Sequence, residues 1–533
     1  LDNQTTSEFT KFASEYNTGI TSGKGRPNDL VVGTDSASKL AETLLSDANS
    51  NVIIVTTRQK LDAALKYARK HEERSGKNRF KKLISQHIVF VVDECHRALS
   101  PENMEDIKGW FPNSTWFGFT GTPIFEVNKR QAQGQLARTT HDQYGDVLHT
   151  YTIKNALDDE AVLGFQVEHE DTLDHNKLAN HIYHEIRFQP KYASMTDEQV
   201  ASAVEAMPAV EQEKHIDNAV FEKNEHIQTV IHKIFAPNNA YVKFDFHNGR
   251  PQKNAMLTTS SIAMAKRYYH AIKKMTADPD WMQREFPDRP LTAGRTIEDP
   301  DFPRIAITYS LDENPTEASQ SQEDMKAIIA DYNQFYKTNW KIDELERYNG
   351  DINNRLARKL AAFKTPGKQV DLVIVVDRLL TGFDAPQLQT LFVDRTLEYA
   401  KLIQAFSRTN RTFPNKNKGL IVTYRKPATM KANVDAATRL YSESQEETNL
   451  IYPDYAEAQS KFHKAYKTFD NILKSKPDLD EHSDQFDKVE YVKAYQALDN
   501  AYAAIVTYDE YNYQIENTPE SQLLPNLVQE QEG

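Results

Sequence analysis

Cysteine is almost absent from this 533-residue chain, which contains only Cys95. A single thiol excludes an intramolecular disulfide framework and a cysteine-cluster zinc site, and it suits a reducing, cytoplasmic compartment. Glycine is scarce at 18 and proline ordinary at 22, which excludes collagen-like and low-complexity classes. No apolar run approaches the roughly 18 residues that a bilayer-spanning helix needs, so no membrane partner is expected. The opening Leu1-Asp2-Asn3-Gln4 is neither basic nor apolar and gives no secretory signal. It does not begin with methionine, so the chain reads as a possible fragment.

The net charge is −13, unevenly spread. Residues 426–533 hold 10 basic and 20 acidic side chains, which leaves residues 1–425 near −3. Any track for nucleic acid must therefore be local, outside the acidic tail.

What is present is a repeated alternation. Asn51–Val55, Ile88–Val92 and Trp116–Phe119 read as buried strands, with a helix after the first that repeats Leu61, Ala64, Leu65 and Ala68 at helical spacing. Uninterrupted β-branched and aromatic runs between helices indicate a parallel sheet covered on both faces. From about residue 155 to 240 the text is polar and helical, with one helix expected over Ala219–Phe235. Strands resume at Ala255–Thr259, Ile305–Thr308, Asp371–Val376, Leu391–Val393 and Leu420–Val422. After Tyr424 only helical spacing remains, carried by Phe462, Phe469, Leu498 and Ile505. The fold class is α/β: two doubly wound parallel sheets followed by an all-helical domain. Residues 275–303 and 311–320 read as loops.

Four motifs carry chemistry. Asp93-Glu94-Cys95-His96 follows directly on the strand Ile88–Val92, and open α/β sheets place their chemistry at strand carboxyl ends. There Asp93 can hold the water shell of Mg²⁺ on ATP phosphates, Glu94 can deprotonate the attacking water, and His96 can report nucleotide state. The next strand ends in Thr120-Gly121-Thr122-Pro123, a small hydroxyl-rich turn suited to coupling. Thr381-Gly382-Phe383-Asp384 offers a glycine for close backbone approach and a carboxylate for a ribose or an arginine. Gln404, Arg408 and Arg411 follow at i, i+4 and i+7, which on a helix is one face; two guanidinium groups there suit charge on a transferring phosphoryl group. Each pattern alone is also that of an ordinary turn or a salt-bridged surface helix. Their order is that of a superfamily 2 helicase or translocase.

The resemblance narrows further. Ile53–Leu61, Val92–Arg97, Gly118–Pro123, Tyr151–Ala156, Leu380–Pro386 and Gln404–Arg411 resemble the motor (R, HsdR) subunit of type I restriction enzymes over residues 1–424. This implies two RecA-like domains, 1–154 (N-terminally truncated) and 241–424. Between them lies a connector with a helical insertion (155–240), and residues 425–533 form a helical acidic C-terminal domain. It implies ATP-driven translocation on double-stranded DNA, assembly with methyltransferase (M) and specificity (S) subunits, and cleavage by a separate nuclease domain. By the same resemblance Leu1–Thr5 looks like motif Ia, and Thr56, Thr57, Thr258, Thr259 and Ser260 match DNA-contacting segments. ATP is expected between the two sheets.

A P-loop requires Gly-Lys followed by Ser or Thr. Gly23-Lys24, Gly76-Lys77 and Gly367-Lys368 are followed by Gly, Asn and Gln. The nuclease pattern (D/E)-x-K occurs only at Asp106/Lys108 and Asp324/Lys326, both in helical text. The expectation is a fragment that lacks both parts and is inactive alone. Two alternatives stay open: another superfamily 2 motor, such as a type III restriction subunit or a helicase, and a non-catalytic docking module acting through the acidic tail.

Overall fold

A computed structural model describes residues 9–11, 31–33, 36–45, 53–75, 85–173, 175–278, 280–281, 284, 299, 301–309, 318–358, 360–442, 451–452, 455–475 and 485–505. Leu1–Thr5, Gly23-Lys24-Gly25, Gly76-Lys77 and most of the two expected loops at 275–303 and 311–320 lie outside them. The chain divides into two compact units, Leu1–Thr150 and Tyr151–Gly533.

In the first unit β1 (Val31–Gly33) pairs in parallel with β2 (Ile53–Val55), and β3 (Ile88–Val92) with β4 (Ser114–Gly118). Strand β1 was not anticipated: three residues are too few for a periodic signal. The helix Arg58–Ser75 turns Leu61, Ala64, Leu65 and Ala68 inward, where they meet Leu40, Ile107 and Phe111. Phe90 stacks on Trp116 with ring centroids 4.1 Å apart, closing this core from the strands. The other face of β3 and β4 presents Val89, Val91 and Phe117, all exposed. The expectation of a sheet covered on both faces is therefore not met at these strands among the described residues: apolar side chains alternate in and out, and only one set reaches the helices.

The second unit is built on a seven-stranded, all-parallel sheet. Its strands in chain order are β5 (Phe165–His169), β8 (Asn254–Thr259), β9 (Ile305–Thr308), β10 (Leu372–Val375), β11 (Leu388–Asp394), β12 (Gly419–Thr423) and β13 (Ile451–Tyr452). Between β5 and β8 stand β6 (Phe246–His247) and β7 (Arg250–Pro251), a short antiparallel pair. The spatial order is β13-β5-β12-β11-β8-β10-β9. The segment read as connector thus supplies a strand, and a strand follows Tyr424 where none was expected. Both were hidden by context: Phe165-Gln166-Val167-Glu168-His169 alternates with polar residues, and β13 is two residues long. Strands β8, β10 and β12 are buried along their whole length, as a parallel sheet under helices requires.

Helices His175–Ile186, Asp197–Glu205 and Ala209–Lys214 form an appendage with its own cluster of Ile182, Ile186, Tyr192, Val200 and Val204. Glu213 fixes it to the sheet domain. Its two carboxylate oxygens accept from Ala428 N–H at 2.8 Å and Thr429 N–H at 2.7 Å, capping the helix Pro427–Ser442 from outside. The helix expected over Ala219–Phe235 begins only at Asn224, because Lys223 is extended (φ −73°, ψ 152°) and separates it from a 3₁₀ turn. Helices Tyr455–Ser475 and Gln485–Ile505 pack as a hairpin around Phe462, Phe469, Ile472, Leu498 and Ile505. Asp106/Lys108 and Asp324/Lys326 lie on helices, Pro101–Trp110 and Ala318–Tyr336. Among the described residues no helix is long and apolar enough to cross a membrane.

Candidate functional site

In the first unit the chemistry gathers at the carboxyl ends of β3 and β4. The two strands leave the sheet joined: Phe119 N–H donates to Val92 O at 2.9 Å, and Cys95 N–H to Phe119 O at 3.0 Å. Between them Glu94 is left-handed (φ 49°, ψ 43°), a conformation that costs a non-glycine residue energy and persists where surroundings fix it. Asp93 is exposed and one of its oxygens accepts Glu94 N–H at 2.8 Å.

His96 is buried and joins the two motifs. Its Nδ1 lies 2.7 Å from Thr120 Oγ1 and 3.5 Å from Glu94 Oε2. Thr120 Oγ1 in turn accepts Thr122 N–H at 3.0 Å. Burial, then the charges of Arg97 and Arg130, lower the His96 pKa to about 4, so the ring is neutral. Arg130, which sequence reasoning passed over, holds this segment from behind. It donates to His96 O at 2.6 Å and to Gln143 Oε1 at 2.7 Å, and Gln143 reaches Leu99 O. Cys95 is buried and burial pushes its thiol up to about 11, which removes it as a nucleophile near neutral pH. A Cβ on Gly118 would stand 2.8 Å from Cys95 Sγ and 2.9 Å from Tyr144, so this strand end needs a glycine. Gly121 is exposed and Thr122 buried.

Thr56 and Thr57 follow β2 and are half-buried. Thr57 caps the next helix, accepting Lys60 N–H at 3.3 Å through its hydroxyl.

In the second unit the loop after β10 carries Thr381–Ala385. Gly382 is exposed with φ +69° and Asp384 is exposed. Arg408 Nη1 donates to Phe383 O at 2.5 Å and its Nε to Gln404 O at 3.1 Å. Arg411 Nε pairs with Asp384 Oδ1 at 3.3 Å. Loop and arginines are thus brought together, though not by the expected route. The helix Tyr399–Phe406 stops before Arg408, so Gln404, Arg408 and Arg411 do not share a helix face. Thr409 ends it: its N–H and hydroxyl both return to Phe406 O, each at 2.9 Å. Beyond, Arg411 bridges to Val162.

The DNA-contacting assignment of Thr258 and Thr259 is corrected. Both side chains are fully buried. Thr258 Oγ1 donates to Val376 O at 2.8 Å and Thr259 Oγ1 to Ser261 O at 3.0 Å. Hydroxyls engaged inside a sheet cannot hold a phosphate; Ser260 alone of the three is exposed.

Sequence reasoning also missed a buried network at the end of β11. Asp394, with no exposed surface, accepts from Arg425 Nε at 2.7 Å and Nη2 at 2.9 Å, from Tyr268 OH at 2.9 Å, and lies 2.7 Å from His226 Nε2. Burial pushes its pKa up, but hydrogen bonds from His226 and Arg425 outweigh that and hold it below the usual carboxylate range. The available signal was a charged residue closing an apolar run, Leu391-Phe392-Val393-Asp394.

Comparison with known proteins matches residues 251–426 to "Type I restriction enzyme subunit R domain 3" and residues 450–532 to "Type I restriction and modification enzyme - subunit R C terminal". Over these two stretches the chain is similar to R-subunit domains of type I restriction enzymes. The chain also matches the SWI2/SNF2 ATPase family over residues 1–201. It is 28% identical over 520 residues to the endonuclease subunit of type I restriction enzyme SauCOLORF180P from Staphylococcus aureus (strain COL), covering 97% of this chain and 47% of that protein. The HindI endonuclease subunit of Haemophilus influenzae (strain ATCC 51907 / DSM 11121 / KW20 / Rd) is 25% identical over 377 residues, 67% of this chain and 28% of that one. The chain therefore spans about half the length of its staphylococcal relatives. Among solved structures, the Hef helicase domain of Pyrococcus furiosus aligns with 80% of this chain and 86% of its own at 12% identity, with a TM-score of 0.33, too low to carry an argument.

Proposed function

We propose that this chain is the motor part of a type I restriction enzyme R subunit, coupling ATP hydrolysis to movement along double-stranded DNA. Residues 1–154 are assigned to its first motor domain, and residues 241–424, with the strands at 165–169 and 451–452 that join the same sheet, to its second. Cleavage is assigned to a nuclease domain outside these residues, and assembly to methyltransferase and specificity subunits. The 533 residues alone are expected to turn over little ATP and to cut no DNA, since they hold no Gly-Lys-(Ser/Thr) cradle.

The observation that carries this reading is the cluster of three residues Glu94, His96 and Thr120. A carboxylate at a strand end lies 3.5 Å from the imidazole nitrogen that meets, at 2.7 Å, the hydroxyl organising the next strand's turn. A neutral imidazole offers one donor and one acceptor nitrogen, so its bond to Thr120 responds to what Glu94 binds.

The residues fit nucleotide chemistry. Asp93 presents an exposed carboxylate suited to the water shell of Mg²⁺. Glu94, only half-buried, can take a proton from water. Gly382 lets backbone approach a phosphate, and Asp384 suits a ribose hydroxyl once Arg411 turns away. Arg408 and Arg411 suit stabilisation of phosphoryl charge, with Gln404 beside them. ATP with Mg²⁺, when bound, supplies the phosphoanhydride whose hydrolysis drives the cycle. Thr120, Gly121 and Thr122 would pass the change on, and Thr56, Thr57 and Ser260 are the candidate DNA contacts.

The test is ATP hydrolysis by a full-length R subunit carrying this sequence, assembled with its partners. Stimulation by duplex DNA is expected. Stimulation by RNA alone would overturn the reading in favour of an RNA helicase.

A further inference from the structure

We propose that Lys416 is a positioning residue for the loop between β10 and β11, setting where Gly382 and Asp384 stand. The proposal rests on the reading of that loop as part of the nucleotide site. Phe413–Lys416 form a turn that includes none of the residues assigned to the nucleotide. Lys416 N–H returns to Phe413 O at 3.1 Å, with Asn415 left-handed (φ 58°) between them. The turn sends the Lys416 side chain inward to 5% exposure. Its Nζ donates to Pro386 O at 2.9 Å and to Leu388 O at 2.8 Å. A second lysine braces the turn: buried Lys253 donates to Pro414 O at 3.0 Å and sits 4.4 Å over the Phe413 ring.

Residues 408–416 therefore grip the loop at successive points. Arg408 holds Phe383 O, Arg411 holds Asp384, and Lys416 holds Pro386 O and Leu388 O. Lys416 is the far anchor, and its donors go to main-chain carbonyls, so what it fixes is the path of the loop. Among the described residues no carboxylate lies within ion-pair distance of it. The charged groups that bear on it are cations, Lys253 and Arg411. Their carboxylates, Asp245 at 4.0 Å from Lys253 and Asp384 at 3.3 Å from Arg411, are engaged by those cations. A buried ammonium without a counter-ion is a poor way to gain stability. Burial first, then Lys253 and Arg411, bring its pKa from 10.5 to about 7.

In the unfolded chain the lysine keeps its proton to near 10.5, whereas in the folded chain it begins to lose it near 7. Across that window the unfolded state binds more protons, so this group's contribution to stability rises with pH. Its grip on the loop weakens over the same window, because a neutral amine makes weaker hydrogen bonds than an ammonium.

The test is hydrogen exchange of this chain from roughly pH 6 to 9, corrected for intrinsic rates. Loop residues 380–388 should lose about tenfold protection relative to β8 as pH passes 7, while β8 does not weaken. In Lys416→Met the loop should be poorly protected at every pH and show no step. Loop protection that tracks β8 across the series in the wild-type chain would overturn the proposal, and this arm needs no variant to fold. A wild-type pH step retained in Lys416→Met would overturn it too. In the full-length subunit, Lys416→Met should lower kcat and remove a pH transition near 7 from the ATPase profile; an unchanged profile would contradict the proposal. If Arg408→Ala leaves ATPase unaltered while the loop still shows its step, the nucleotide reading fails and the loop anchor stands.

Discussion

His96 Nδ1 lies 2.7 Å from Thr120 Oγ1, across 24 residues of sequence and between the ends of two adjacent parallel strands. The contact gives the coupling proposed for Thr120–Thr122 a physical route. Thr120→Val keeps the shape and removes the hydroxyl that meets both His96 and Thr122 N–H. A lost buried hydrogen bond costs about 1–3 kcal/mol. The expected outcome is retained ATP binding with fewer base pairs travelled per ATP, read by a triplex-displacement assay alongside ATPase. Wild-type distance per ATP would contradict the route.

The same histidine makes a pH prediction. In the unfolded chain it takes up a proton as pH falls through its ordinary 6.5; in the folded chain it does so only near 4. Its contribution is present above 6.5 and is lost as pH drops from 6.5 toward 4. His169 is lowered in the same way, so the comparison must be with a variant. On acidification over that window the wild-type chain should lose more thermal stability than His96→Gln. Parallel losses would show that His96 is not held neutral by the fold.

Arg408 and Arg411 differ in what they hold, a backbone carbonyl against a carboxylate. In the full-length subunit Arg408→Ala should both loosen the loop and remove charge. It is expected to lower kcat by about 10³ if it meets the phosphoryl group. Arg411 must first leave Asp384, so Asp384→Asn should change KM more than kcat. Steady-state ATPase kinetics check both. A raised KM with unchanged kcat in Arg408→Ala would restrict it to ground-state binding.

Much of this was legible in the sequence, for physical reasons. Asp371–Val376 announces a buried parallel strand because both faces must be apolar, and Ile88–Val92 announces a strand, though one whose Val89 and Val91 face outward; Asp93-Glu94 is readable because a strand end fixes where it points. Where context decided, the sequence was silent. The helix Tyr399–Phe406 stops because Thr409 folds back on it, which no spacing reveals. Thr258 and Thr259 matched a pattern, yet their hydroxyls face neighbouring carbonyls. The Glu213 cap joins residues more than 200 positions apart. Lys416 sits in an ordinary Asn-Lys-Asn-Lys run, and nothing local marks it as buried.

The tail prediction depends on where the sheet domain ends. Helix Pro427–Ser442 buries Met430, Val434 and Ala437, and β13 pairs with β5, so residues 427–442 and 451–452 belong with the second sheet. Deleting 455–533 should leave the second sheet folded and weaken assembly with the methyltransferase complex. Deleting 425–533 should destabilise the unit itself. The acidic balance of the tail argues against a grip on phosphates. A large, salt-sensitive loss of DNA binding on deleting 455–533 would contradict this assignment.

The most direct test of the motor reading is Glu94→Gln in the full-length R subunit. The substitution keeps the shape of a half-buried side chain 3.5 Å from His96 and removes its basicity. ATP binding, measured with a non-hydrolysable analogue, and ATP turnover stimulated by duplex DNA are compared with wild type. The prediction is binding close to wild type with turnover reduced by about 10² or more, the contribution of a positioned general base. Turnover within tenfold of wild type would show that Glu94 is not the residue that activates water, and the central claim would fail.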